Sequence, residues 1–293
     1  MNATKLCLGL ALVTVGLPRL SVATELEPVT IKAWDDYVAS ADSRMQARVN
    51  GQRSFLWIDE APGRSSQLQR GETLVAPVLG HGSQSVPNGL IHHWIGAVFI
   101  PHARLGTLLA VIHDYDRYKD FYKPAVADSK VLACTDSDQR FSMVWQRRVL
   151  FVNAAIEGQY QAREHFVDQR RGYNIATTTQ VREIEEYGQS GQHLLTPGQG
   201  SGFIWRLHSI ARYEERDGGV YLELEAMALT RGVPVSLRWL VNPVVNHLSI
   251  NSLTATLHQT RDAVDSLAET PERLSSCAGG GRPAGNATVA GVN

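Results

Sequence analysis

The chain has 293 residues, with 28 basic and 29 acidic side chains and a formal net charge of −1 at pH 7. A chain of this length holds one large domain, or one domain with an extension. The charges are balanced and form no dense basic segment, which excludes the electrostatic pattern expected of a nucleic-acid-binding protein.

The first residues have the pattern of an export signal. Lys5 supplies a positive charge, residues 6–17 form an apolar run, and Ser21-Val22-Ala23 matches a small-residue cleavage site. We therefore expect cleavage near Ala23 and a periplasmic or secreted protein. The apolar run is shorter than the roughly 20 residues that span a bilayer, so a permanent anchor is the less favoured alternative. No later segment is apolar enough to predict an integral membrane span in the mature chain.

The other end of the sequence predicts a tail without structure. Residues 268–293 are rich in glycine, alanine, serine and proline, and they cannot bury enough apolar surface to offset the entropy of ordering. Cys134 and Cys277 would remain after cleavage, and an exported compartment permits a disulfide. The composition around Cys277 nevertheless disfavours a structural bridge between them.

Residues 24–89 are predicted to form an N-terminal extension. Apolar residues recur at helical spacing from Trp34 to Met45, which predicts an amphipathic helix over 30–49 that docks on the main domain. Phe55 to Ile58 predicts a short strand. Glycine, proline and serine punctuate residues 80–89, which predicts a boundary there. The role of the extension stays open at this point.

From Leu90 the sequence alternates between strand and helix signals. Leu90 to Ile100 predicts a strand, followed by a helix over 103–113 and a short helix over 116–122 that Pro124 ends. Six further strands are predicted at about 126–134, 139–148, 150–167, 173–187, 203–215 and 219–230. Asn242-Pro243 is typical of an N-cap and first helical residue. We therefore expect a short helix over 235–241 and a long one from 243 to about 267.

The last two predicted strands form a hairpin whose register can be derived. Asp217-Gly218 predicts a two-residue turn, which places Arg212 opposite Glu223 as a cross-strand charge pair. The other face is apolar and should turn inward, and its centre consists of small residues. Either a helix packs very close to this face or a cavity remains. The pairs on this face are Tyr213 with Leu222, Ala211 with Leu224, Ser209 with Ala226, Leu207 with Ala228, and Trp205 with Thr230.

The order of these elements resembles the START-like, or Bet v 1-like, helix-grip superfamily. The resemblance is carried by AVFIPHARLGTLLAVIHDYDRYKDFYKPAVADSKVL (97–132), GGVYLELEAMAL (218–229) and VPVSLRWLVNPVV (233–245). It implies an α+β helix-grip fold over residues 90–267, in which a curved antiparallel sheet of about seven strands wraps a long C-terminal helix. The N-terminal helical extension lies outside it. In this superfamily an apolar cavity between sheet and helix holds lipids, sterols, quinones or polyketides, and there is no universal catalytic motif.

The resemblance and the small inner face together predict a ligand cavity. We expect neither metal nor cofactor, and we assign no catalytic residue. The candidate cavity residues are Phe121, Tyr122, Trp145, Tyr160, Trp205, Leu207, Ser209, Tyr213, Leu222, Leu224, Ala226, Val244 and Leu248.

The sequence supports catalytic residues less strongly than it supports a ligand cavity. Arg206 and His208 could serve acid–base catalysis if their face of the strand were the inner one. The Arg212–Glu223 pair on the same face indicates that it is outside. His92 and His93 would point to opposite sides of a strand, so they do not converge on a metal.

Three functional hypotheses follow from the sequence. The first is an exported, non-catalytic binding or carrier protein for a hydrophobic, lipid-like small molecule. The second is a cyclase, dehydratase or hydrolase that acts on a hydrophobic substrate in the same cavity. The third is an interaction module with a filled core. The sequence leaves the choice between carrier and enzyme open.

Overall fold

The computed structural model describes residues 26–135, 138–149, 152–232 and 238–269. The predicted signal and Cys277 lie outside these residues, as does nearly all of the predicted tail. Among the described helices, none combines the length and the apolar character needed to cross a membrane.

The chain forms five helices and ten strands within the described residues. The helices are α1 (Pro28–Val49), α2 (Arg64–Gln69), α3 (Leu105–Ile112), α4 (Tyr118–Phe121) and α5 (Arg238–Glu269), with 3₁₀ turns at Trp57–Glu60 and Tyr115–Arg117. The strands are β1 (Leu74–Pro77), β2 (Ser83–Val86), β3 (Gly89–Pro101), β4 (Val126–Cys134), β5 (Gln139–Val149), β6 (Val152–Phe166), β7 (Arg171–Glu185), β8 (His193–Leu194), β9 (Arg206–Arg216) and β10 (Gly219–Arg231).

All ten strands belong to one curved, unclosed antiparallel sheet. Its order is β1-β3-β10-β9-β7-β6-β5-β4, with β2 paired to β3 and β8 paired to β7. Helices α3 and α5 pack on the inner face, and the N-terminal segment packs on the outer face. The α+β architecture predicted from the sequence is confirmed.

The register of the β9–β10 hairpin follows from its turn. Asp217 and Gly218 have φ values of 56° and 77°, the left-handed values that a tight hairpin turn requires. Arg212 lies opposite Glu223, and the predicted inner pairs from Tyr213–Leu222 to Leu207–Ala228 are confirmed. The predicted pair of Trp205 with Thr230 is wrong. Strand β9 begins at Arg206, so the alternation of the ladder no longer fixes the direction of the Trp205 side chain.

The C-terminal helix is longer than predicted. Helix α5 begins at Arg238 and continues through Asn242-Pro243, so these residues do not start a second helix. A proline inside a helix removes one backbone hydrogen bond, and α5 tolerates that loss. Residues 235–237, where the separate short helix was expected to begin, lie outside the described residues.

Helix α5 packs closely against the sheet at Gly96 of β3, which has no side chain. Leu253 and Leu257 of α5 are buried, and both press on Gly96. A Cβ atom at Gly96 would lie 2.8 Å from Cδ1 of Leu257 and 3.1 Å from Cδ2 of Leu253. Leu108 of α3 belongs to the same buried cluster. Glycine at this point lets the helix approach the strand closely.

The N-terminal segment forms a second layer on the outer face of the sheet. Trp34 and Met45 of α1 are buried in one cluster with Leu56, Ile58 and residues of β9 and β10. The predicted strand at 55–58 is wrong, because Trp57–Glu60 is a 3₁₀ turn. Strand β2 lies within the stretch 80–89 that was predicted as a boundary, and it pairs with β3.

This layer covers the charged face of β9 and β10, which the sequence placed on the outside of the sheet. Arg212 is 1% exposed and Glu223 is fully buried, so the predicted pair exists but its face does not meet solvent. The guanidinium donates from Nε to Glu223 at 2.9 Å and from Nη1 to Glu225 at 2.7 Å. The other oxygen of Glu223 accepts from the backbone N–H of Ile58 at 2.9 Å. Residues far away in sequence therefore cover the outer face.

His93 completes this network. Its Nε2 lies 2.8 Å from Glu225 Oε1, and the Tyr37 hydroxyl lies 2.7 Å from its Nδ1. Burial alone would raise the pKa of Glu225, but the hydrogen bond from His93 and the charge of Arg212 hold it well below its ordinary value. The Glu225 carboxylate is therefore ionised at neutral pH.

Cys134 is disulfide-bonded. The chain's other two cysteines, Cys7 and Cys277, both lie outside the described residues, so the prediction about a Cys134–Cys277 bridge stays a prediction.

The close packing of α5 on β3 predicts that substitution of Gly96 lowers the stability of the protein. We expect Gly96→Val to lower the free energy of unfolding by about 1–3 kcal/mol, because the added methyl groups displace Leu253 and Leu257. Gly106→Ala is the matched control, since its Cβ would meet nothing within 4 Å on α3. Urea unfolding followed by circular dichroism measures both. Equal stability of Gly96→Val and wild type would contradict the close packing described here.

Candidate functional site

A cavity of about 1370 Å³ lies between the inner face of the sheet and α5. The hairpin sequence predicted an inner face made of small residues. These residues line the cavity: Ser209, Ala211, Ala226 and Ala228. The sequence left open whether a helix packs close or a cavity remains. Both occur: α5 presses on the sheet at Gly96 and leaves the space beside the β9–β10 hairpin unfilled.

Stacked aromatic rings form one wall of the cavity. Phe141 stacks on Tyr115 with ring centroids 4.1 Å apart, and on Tyr160 with centroids 4.9 Å apart. Burial raises the pKa of both tyrosines, so their hydroxyls stay protonated. The Tyr115 hydroxyl donates to Gln139 at 2.7 Å, and the Tyr160 hydroxyl accepts from the Trp145 indole at 2.8 Å. These hydroxyls are satisfied by the protein itself, so the wall presents mainly ring surface.

Most of the predicted cavity residues are brought together around this space. Those that line it are Tyr122, Trp145, Tyr160, Leu207, Ser209, Leu222, Leu224, Ala226 and Leu248. Their role in holding a ligand stays a prediction.

The remaining predicted residues are not among those that line the cavity. Trp205 packs in the outer cluster with Leu26 and Trp34, because it precedes the first paired residue of β9. Tyr213 is fully buried in the inner cluster away from the cavity. Phe121 is partly buried and lies under the guanidinium of Arg117, 4.9 Å from the ring centroid. The side chain of Val244 lies outside the described residues.

Several lining residues were missed from the sequence. Leu90, His92 and Trp94 line the cavity from alternate positions of β3. Strand alternation continued from Gly96 would have found them, since residues two apart face the same side. Thr260 of α5 was also missed, and its hydroxyl lies 3.0 Å from that of Tyr122.

Charge is nearly absent from the lining. Among the described lining residues there is no Asp, Glu or Lys, and Arg231, the one arginine, is exposed. His92 is buried, and this burial lowers its pKa to about 4, so the imidazole is neutral at pH 7. Its Nε2 lies 3.1 Å from the Thr230 hydroxyl. The cavity is therefore apolar and close to uncharged.

Arg206 is not among the residues that line this space. His208 is among them, but its ring nitrogens lie beside residues of β7 and α1. The two ring nitrogens of His208 lie 2.7 Å from Oγ1 of Thr177 and 3.2 Å from Oδ1 of Asp42, which belongs to α1 on the outer face. Arg206 donates to the carbonyl of Trp205 at 2.9 Å. The ring of His208 therefore faces the side that the N-terminal layer covers, where its Nε2 forms no hydrogen bond with the described residues.

The cavity opens beside the segment that joins β7 to β9. Ser201, Gly202 and Phe203 line it, and Phe203 is 40% exposed. Glu183 of β7 fixes this segment, since its carboxylate accepts from the backbone N–H groups of Ser201 and Gly202 at 2.8 Å each. Other exposed lining residues are Pro124 after α4 and Asn251 on α5. We call this ring of exposed lining residues the mouth.

Solved structures with a similar arrangement were compared with the chain. One is a STAR-related lipid transfer protein from Xanthomonas axonopodis, with 16% identity, a TM-score of 0.41, and coverage of 63% of this chain and 99% of that one. Another is the Zhui aromatase/cyclase from Streptomyces sp. R1128, with 11% identity, a TM-score of 0.42, and coverage of 62% and 98%. A START superfamily protein from Mycobacterium smegmatis has 11% identity, a TM-score of 0.39, and coverage of 60% and 99%.

No protein-family model and no curated protein matches the sequence. The assignment of the fold rests on the order of the elements and the sheet topology described above. The chain has a helix-grip fold.

The buried imidazole predicts a pH dependence of stability. Unfolded His has a pKa near 6.5, whereas His92 stays neutral down to about pH 4 when folded. Between these values the unfolded chain binds the extra proton, so stability is lost as the pH falls. We expect this residue to cost about 2 kcal/mol between pH 6.5 and pH 5.

Urea unfolding at both pH values tests this expectation. His92→Gln should remove that part of the pH dependence. His193→Gln is the control at a solvent-exposed histidine and should retain it. If the His92→Gln protein lost as much stability as wild type over this range, His92 would not be the titrating group.

Proposed function

We propose that the chain is an exported, non-catalytic carrier that holds a hydrophobic small molecule in the cavity between the sheet and α5. The observation that carries the proposal is the size of the cavity together with its uncharged lining. Its volume exceeds the roughly 300–1,000 Å³ of common ligand pockets, which suits a lipid-like molecule. The signal pattern that ends near Ala23 supports export.

The free energy of binding would come mainly from apolar burial. Each Å² of apolar ligand surface removed from water contributes about 25 cal/mol before the costs of association are subtracted. Without an acidic residue, a lysine or a buried arginine in the described lining, a charged group deep in the cavity would lose its hydration without gaining a partner. The ligand should therefore be neutral, or should keep any charge at the mouth near Arg231.

The polar groups of the described cavity favour a carrier over an enzyme, because they pair with one another, as His92 does with Thr230 and Tyr122 with Thr260. Acid–base catalysis needs a group within hydrogen-bonding reach of the reacting atoms. Arg206 does not line the cavity, and the ring nitrogens of His208 lie beside Thr177 and Asp42. The hydroxyls of Tyr115 and Tyr122 have protein partners. The filled-core alternative has no support, because the described interior contains a large unfilled volume.

A displacement assay with the neutral dye Nile red tests the proposal. Dodecanol should displace the dye at least tenfold more effectively than dodecanedioate, because one of the two carboxylates would have to lie deep in the cavity, where no charge pairs with it. Mass spectrometry of an organic extract of the protein from its native host should reveal a bound apolar compound. If neither dye nor apolar compound binds, the carrier function is refuted.

Filling part of the cavity should weaken binding without unfolding the protein. We expect Ala226→Phe to weaken Nile red binding by about tenfold, or about 1.4 kcal/mol, because its ring occupies the space beside the hairpin. Ala39→Phe makes the same chemical change on the exposed side of α1 and should leave binding unchanged. Fluorescence titration measures both affinities. Wild-type affinity in Ala226→Phe would place the dye elsewhere on the protein.

A further inference from the structure

We propose that the protein has a second binding site, for a small anion of the carboxylate or phosphate class, between α1 and the outer face of the sheet. A pocket of about 190 Å³ lies there, on the opposite side of the sheet from the apolar cavity. Its charged lining residues are Arg44, Arg48, Arg53, Arg212, Glu60 and Glu225. Guanidinium groups from α1 and from the sheet thus meet at one small space.

Two of these guanidinium groups have an unused donor. Arg212 is 1% exposed, and its Nε and Nη1 are bonded to Glu223 and Glu225, but its Nη2 is buried without a partner among the described residues. Arg44 donates from Nη1 to Ser40 at 3.0 Å, and its Nη2 is likewise buried and unpartnered. A buried donor without an acceptor is costly, so both groups favour an acceptor in the pocket.

The carboxylates of the pocket do not accept from the two unpartnered Nη2 groups of Arg44 and Arg212. Glu60 lies 3.0 Å from Arg48 and 2.8 Å from Arg53. Glu225 is engaged by Arg212 and by His93. Within the described chain, Arg44 has no carboxylate within 4 Å. One positive charge at the pocket is therefore left without a protein partner.

Repulsion between the arginines points to the same conclusion. Burial lowers the pKa of Arg48, and the charge of Arg212 lowers it further. An anion between them would attract both groups and offset their repulsion. Guanidinium groups bind the oxygens of carboxylate and phosphate with paired N–H donors, which identifies the chemical class. The volume admits a small anion and excludes a long-chain lipid.

A bound anion would tie α1 to the sheet. It would contact Arg44 and Arg48 of α1 and Arg212 of β9, and so it would stabilise only the folded state with the N-terminal layer in place. This site is independent of the proposed carrier function, because its residues face away from the apolar cavity.

Thermal unfolding of the mature chain tests the site, with inorganic phosphate as the probe. We expect Tm to rise with phosphate and then saturate, relative to chloride at matched ionic strength. Arg44→Gln should fold, because Arg44 forms no ion pair with any described residue, and should lose the saturable rise. Arg104→Gln, which alters an exposed arginine paired with Glu215, should keep it. Arg44→Lys should restore part of the rise.

Crystals soaked in selenate provide a second readout. An anomalous peak between Arg44 and Arg212 in wild type, absent in Arg44→Gln, is the expected result. Water alone in the pocket would overturn the proposal, as would a Tm response that does not saturate or that is unchanged in Arg44→Gln. None of these outcomes affects Nile red binding, so a failure here is distinguishable from a failure of the carrier function.

Discussion

The burial of one charge, Arg212, constrains the whole outer side of the sheet. A buried ion pair is stable only when further hydrogen bonds satisfy its remaining atoms, because the desolvation cost of the charges is large. Glu223 and Glu225 neutralise the guanidinium, and His93 and the backbone of Ile58 complete the network. Ile58 belongs to the N-terminal segment, so that segment both covers the charges and contributes a bond to them.

The two faces of the same strands have opposite packing. On β9, Ile210 and Arg212 point outward and are buried under the N-terminal layer, whereas Ser209 and Ala211 point inward and leave a much larger space. The helix cannot close that space, since its distance from the sheet is set by the contact of Leu253 and Leu257 with Gly96. A dense outer layer and a hollow inner one thus follow from side-chain size at alternate positions of one sheet.

The predictions drawn from the hairpin turn were confirmed, whereas the local signals at Phe55–Ile58 and at Asn242-Pro243 were misleading. The Asp217-Gly218 turn fixed the register of β9 and β10, and period-two alternation then identified the small inner face. The Arg212–Glu223 pair was correct as a pair, but no local signal shows that residues 150 positions away would cover it. Trp205 lies one residue outside the ladder, where alternation carries no information. Whether small residues leave a cavity depends on where α5 is held, which is a property of the assembled core.

The pairing of β1 and β2 with β3 has a further consequence for how the protein behaves in solution. β3 is an apolar strand, buried from Gly89 to Ile100, and without these two partners it would form the edge of the sheet. An exposed apolar edge offers unpaired N–H and C=O groups to any other chain, which promotes intermolecular β-pairing and aggregation. The N-terminal segment therefore protects the sheet, and its removal by proteolysis would leave β3 open to self-association.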